Sequence, residues 1–183
     1  ALTKESTKDI LENLLKRSPN NYGKFESAVD EILHKVKTEG DSALFAYTKE
    51  FDKTEITADT IKVTEEEIKE AYEAVDPALI DVIRKALVNI RSYHEKQRQN
   101  SWFTSETNGT MLGQKVTALE RVGVYVPGGK AVYPSSVLMN IVPAKVAGVD
   151  QIVMTTPPGK NGKVNPSTLV AAKEAGADEI YKV

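Results

Sequence analysis

The chain has 183 residues, and its 24 basic and 26 acidic side chains leave a formal charge of −2, so no overall basic field draws it to nucleic acid or anionic lipid. Hydrophobic residues make up 40% and charged residues 27%, an ordinary globular balance, and no apolar run reaches the roughly 20 residues a membrane helix requires. There is no cysteine and no apolar signal-peptide core, which excludes a disulfide framework and a thiolate metal site and makes a cytoplasmic location the expectation.

Residues 1–98 read as a helical N-terminal region. Ile10, Leu11, Leu14 and Leu15 recur at helical spacing, and Ser18-Pro19 closes that element. Phe25, Val29, Ile32, Leu33 and Val36 form a second apolar face, stopped at Gly40. Asp41 is expected to cap a third helix carrying Leu44, Tyr47 and Phe51, with Asp52 at its end. Thr64-Glu65-Glu66-Glu67 has the form of a capping box, followed by Ile68, Ala71, Tyr72 and Val75. Asp76-Pro77 opens a long helix on which Leu79, Ile80, Ile83, Leu87, Ile90 and His94 follow one stripe.

Residues 99–120 read as a β-hairpin connector. Trp102-Phe103-Thr104 and the run 110–116 flank Asn108-Gly109, a strong short-range hairpin signal. From residue 121 strands alternate with helices: strand 122–126, helix 135–147 kinked or restarted at Pro143, strand 151–155, helix 166–175 ended by Gly176, and strand 179–183. The predicted fold is therefore α/β. A helical N-terminal region and a β-hairpin lead into an incomplete Rossmann-like parallel β-α-β-α-β sheet spanning 121–183. Residues just past a parallel strand normally build the ligand site, and the sequence stops at Val183, so a truncated chain is the expectation.

Few residues invite chemistry. Pro127-Gly128-Gly129 follows the first parallel strand, where glycines let a phosphate or cofactor approach the backbone. A tight turn needing positive φ explains the same glycines, and neither G-x-G-x-x-G nor a Walker pattern is present. Tyr125 alternates with its valine neighbours and is directed toward the sheet edge, where it either stacks on a planar ring or packs as a half-buried aromatic. His34 and His94 lie far apart with no second ligand at helical spacing, which argues against a zinc site. Glu65, Glu66 and Glu67 are accounted for by capping, and no carboxylate has a context arguing for a raised pKa.

Three stretches carry a family resemblance. They are Gly40-Asp41-Ser42-Ala43-Leu44 with Phe51-Asp52-Lys53-Thr54, the helix segment Ile90-Arg91-Ser92-Tyr93-His94-Glu95-Lys96-Gln97, and the run of residues 122–140 continuing through 143–148. With them the chain resembles the N-terminal portion of histidinol dehydrogenase over nearly its whole length. The resemblance implies a zinc-dependent, NAD-linked, homodimeric enzyme of histidine biosynthesis that oxidises L-histidinol through L-histidinal to L-histidine. It also implies that Tyr125 contacts NAD and that Pro127, Gly128 and Gly129 lie beside the dinucleotide crevice. The family's zinc ligands, its proton-handling Glu-His pair and its substrate contacts fall downstream of Val183, so no catalytic or metal residue is expected here. The chain is expected to be inactive alone. The alternative is a non-catalytic interaction module that uses its helical half.

Overall fold

The computed structural model describes residues 23–128 and 132–183. The expected first helix around Ile10–Leu15, and Gly129, lie outside the described residues. The chain divides into two compact units, residues 1–44 and 45–183.

In the first unit, α1 (Gly23–Glu39) forms as its spacing predicts, with Phe25, Val29 and Leu33 exposed. α2 (Asp41–Phe51) crosses the division between the units. Asp41 is its first helical residue rather than its cap. Tyr47 and Phe51, four apart, stack with ring centroids 5.5 Å apart. The helix then ends as Lys53 turns into the left-handed region at φ 58°.

α3 (Glu65–Ala74) opens on a complete capping box. The Glu67 N–H donates to Thr64 Oγ1 at 3.1 Å, and the Thr64 N–H donates to Glu67 Oε2 at 2.9 Å. α4 (Pro77–Glu95) starts with Asp76 Oδ1 accepting from the Ala78 N–H at 2.9 Å and with proline at the first helical position. β1 (Trp102–Ser105) and β2 (Met111–Gln114) pair antiparallel as the Asn108-Gly109 signal requires. At the neck of this hairpin Ser101 Oγ accepts from the Val116 N–H at 2.9 Å. All eight strand residues are exposed on both faces.

The remaining elements are β3 (Arg121–Tyr125), α5 (Pro134–Ala147), β4 (Gln151–Thr156), α6 (Pro166–Ala175) and β5 (Glu179–Lys182). They build a parallel sheet in the order β3-β4-β5, with Val124 opposite Met154 and Met154 opposite Ile180. Right-handed crossovers in one direction put α5 and α6 on the same face. α3 and α4 pack on the far side of those helices, giving three layers. α6 therefore lies in the middle layer, which explains why Thr168, Leu169, Val170, Ala171, Ala172 and Ala175 are all buried. The core joins Ile152, Met154 and Ile180 of the sheet to Val137, Leu138, Ile141 and Val142 of α5 and on to Ile80 and Ile83 of α4.

Helix α5 runs from Pro134 to Ala147 with Pro143 inside it, so it does not restart there. The proline leaves the Met139 carbonyl, four residues back, without its helical N–H partner. The outer edge of β5 is occupied, since the Val63 N–H donates to the Ile180 carbonyl at 2.9 Å and the Lys182 N–H to the Ile61 carbonyl at 2.8 Å. Among the described residues β3 is paired on one side only.

Candidate functional site

Alternation along β3 decides where its side chains go. Val122 and Val124 are half-buried against the helices, and Val126, just past the strand, is fully buried. Tyr125 projects from the opposite face, at the strand's carboxyl end, with 61% of its surface exposed. Gly123 shares that face, and a β-carbon placed there would meet nothing within 4 Å. The ring thus stands beside a bare stretch of backbone. The Val126 N–H donates to the Thr155 carbonyl at 2.9 Å and extends the pairing past Tyr125.

Pro127 and Gly128 leave the sheet at once. A β-carbon on Gly128 would come within 3.0 Å of Pro157 Cγ and 3.2 Å of the Pro157 carbonyl oxygen. Gly128 is not in the left-handed region. Its residue type is set by the close approach of the loop after β4, not by positive φ. The two loops line a cleft of about 260 Å³ at the carboxyl edge, with Pro127, Gly128, Thr156, Asn161, Lys163 and Asn165 on its walls. Asn165 Oδ1 caps α6 by accepting from the Ser167 N–H at 2.9 Å, and Lys163 Nζ lies 2.6 Å from Glu70 Oε2.

Asn161, Lys163 and Asn165 were not legible as site residues, because Pro157-Pro158-Gly159 marks only a loop. Their position after a parallel strand is the one signal that points to them. A further charged pair stands at the end of β5, where Lys182 Nζ lies 2.7 Å from Glu67 Oε1 with both side chains largely buried.

The ionisable groups are accounted for by their neighbours. The Arg84 guanidinium, with Nη2 2.8 Å from Glu174 Oε1, holds the Glu174 carboxyl below its usual range. Burial, reinforced by its hydrogen bond to Glu174, pushes the Tyr72 hydroxyl to about 12. One carboxylate departs from the sequence expectation: burial raises Asp52 above its ordinary range. It follows the end of α2 and lies outside the carboxyl-edge cleft. His34 is exposed on α1, and His94 Nδ1 lies 2.6 Å from Gln97 Oε1 at the end of α4. Among the described residues no group of three or more His, Cys, Asp or Glu side chains could hold a metal ion. The carboxyl edge thus offers an aromatic face, bare backbone and amide groups, a set suited to binding a planar ligand.

Residues 15–183 match the family model described as Histidinol dehydrogenase. The chain belongs to the histidinol dehydrogenase family. It is 57% identical over 155 residues to the histidinol dehydrogenase of Bacillus subtilis (strain 168), covering 85% of this chain and 36% of that one. It is 53% identical over 172 residues to that of Heliobacterium mobile, covering 94% and 40%. Against that of Methanocaldococcus jannaschii it is 49% identical over 181 residues, covering 98% and 42%. The crystal structure of histidinol dehydrogenase from Elizabethkingia anophelis superposes with a TM-score of 0.80 at 36% identity, over 87% of this chain and 36% of that chain. The chain therefore spans about two fifths of the length of the histidinol dehydrogenases it matches, which form a family of oxidoreductases.

Proposed function

We propose that residues 121–183 are part of the dinucleotide-binding portion of a histidinol dehydrogenase, and that NAD docks at the carboxyl edge of the sheet with a planar ring against Tyr125. The observation that carries this reading is the exposure of the Tyr125 ring beside the open backbone at Gly123. An aromatic face of this kind stacks a ring without demanding a particular base. Pro127 and Gly128 border the same edge and form its rim; Gly129 is their neighbour in sequence and joins the proposed site on that ground alone. NAD would accept the hydride; this chain's contribution is to hold and orient the cofactor.

The complete enzyme would oxidise L-histidinol through L-histidinal to L-histidine in the cytoplasm, as a homodimer that uses zinc. The described residues of this chain do not suit the zinc, and no step is assigned through it. On this reading the 183 residues alone produce no NADH from histidinol.

An NAD titration followed by amide and aromatic NMR tests the proposal. Saturable shifts centred on Tyr125 and on residues 155–157 are expected. Tyr125→Ala should weaken binding by about tenfold, a stacking contribution of about 1–3 kcal/mol, while Tyr125→Phe retains most of it. NAD binding that is indifferent to Tyr125→Ala would overturn the reading.

A second reading, a non-catalytic interaction module, is favoured by one observation. The hairpin exposes Trp102 and Leu112 on one face and Phe103 and Met111 on the other, more apolar surface than an isolated two-stranded hairpin supports unaided.

A further inference from the structure

At the opposite, amino edge of the sheet lies a larger cleft of about 470 Å³. Three segments wall it: the end of α4 with the residues just past it, the connector 116–118 that leaves the hairpin neck, and the last turns of α5. Val116, Ala118, Pro143 and Val146 supply an apolar floor. His94, Gln97, Arg98, Gln99 and Thr117 supply the polar groups, and no acidic residue lines the cleft. Its volume lies in the range of small-molecule sites, and its lining is about half polar.

Two groups in this cleft keep unused hydrogen-bonding capacity among the described residues. Arg98 has no acidic partner among the described residues, whereas Arg84, within α4, holds Glu174 with two nitrogens. The second is His94. Its Nδ1 lies 2.6 Å from Gln97 Oε1; with that oxygen as the acceptor, Nδ1 carries the ring proton. Nε2 of the neutral ring is then an acceptor, and it is buried with no hydrogen-bond partner. Leaving a buried acceptor unpaired is costly, and a donor brought by a ligand would relieve it. Arg98 and Gln99 lie past the end of α4 and are exposed, so they can shift to admit a donor while Gln97 stays on Nδ1.

We propose that this cleft binds a small aliphatic carboxylate with a hydrogen-bond donor on the neighbouring carbon, the chemistry of a free α-amino acid. Arg98 takes the carboxylate with its planar fork of donors. His94 Nε2 accepts from the α-ammonium group, and the side chain lies on Val116, Ala118, Pro143 and Val146. Because the connector continues into the neck held by Ser101 and Val116, occupancy also steadies the base of the hairpin.

Two-dimensional amide NMR of the 183-residue chain tests this with L-leucine as the probe. Its controls are 4-methylpentanoate, which lacks the donor, and 3-methylbutylamine, which lacks the carboxylate. L-Leucine should give saturable shifts at residues 94–99, 116–118 and 143–147. 4-Methylpentanoate should bind about tenfold more weakly, and the amine should give no saturable shift. Arg98→Gln should weaken L-leucine by about tenfold or more. His94→Phe should abolish the preference for L-leucine over 4-methylpentanoate. Absence of saturable shifts with L-leucine, or equal binding of L-leucine and the amine, overturns the proposal on the unsubstituted chain, whatever the variants do.

Discussion

Lys182 places an ammonium group on the helix-covered face of the sheet, where its side chain is 6% exposed and meets Glu67 at 2.7 Å. Glu67 also holds the Thr64 N–H, so a single carboxylate serves both a helix cap and a buried cation. Removing one member of such a pair strands the other in a poorly solvated place. Lys182→Met should therefore lower stability by about 3 kcal/mol in urea denaturation. A loss below about 1 kcal/mol would mean that Glu67 reaches water once its partner is gone. Tyr72 and Glu174 act at opposite ends of the pH scale. Below about pH 10 a tyrosine is protonated both folded and unfolded. As Tyr72 ionises only near 12 in the folded chain, the unfolded chain loses its proton first, and stability falls as pH rises between those values. Glu174, held down first by its hydrogen bond to Arg84, contributes above the ordinary glutamate range and loses that contribution on acidification. Tyr72→Phe should flatten the alkaline limb of a stability–pH curve and leave the Glu174 contribution on the acid side in place, though altered by the lost hydrogen bond.

Local signals placed most elements. Thr64 with Glu67 announced α3 because a capping box needs just those two side chains three apart, and the structure makes both of its bonds. Thr64→Ala should cost about 1 kcal/mol. Asn108-Gly109 likewise announced the hairpin, but not the constraint opposite it. A β-carbon on Gly113 would stand 2.3 Å from Phe103 Cδ1 and 2.4 Å from the Trp102 carbonyl oxygen. Gly113→Ala should unpair β1 from β2. Trp102 is the only tryptophan, so its emission would report the change directly. Alternation along β3 gave the direction of Tyr125, since a period of two leaves no choice once the valines face the helices. Pro143 left open whether α5 would restart, because the cost of a proline inside a helix depends on surroundings that no local pattern states. Lys182 and Glu67, 115 positions apart, and the meeting of Gly128 with Pro157 were invisible for the same reason: both arise only when distant segments are brought together.

At the scale of the second unit, the three layers share one core, and α5 touches β3, β4, α4 and α6. Ile141 is fully buried in that layer. Ile141→Ala should cost about 3 kcal/mol, within the usual range for such truncations. Fluorescence of Trp102 should be less sensitive to this loss than far-ultraviolet circular dichroism, because the hairpin lies outside the core. The layering also gives the sheet a direction of growth. Residues 61–63 already hold the far side of β5, so among the described residues the sheet's free donors and acceptors lie alongside β3. Open α/β sheets form their ligand crevice where strand order reverses, and a strand added at that flank would create such a reversal beside Tyr125. The flank without a neighbour among the described residues is thus also the one where, on the proposed function, a cleft for the dinucleotide would be completed.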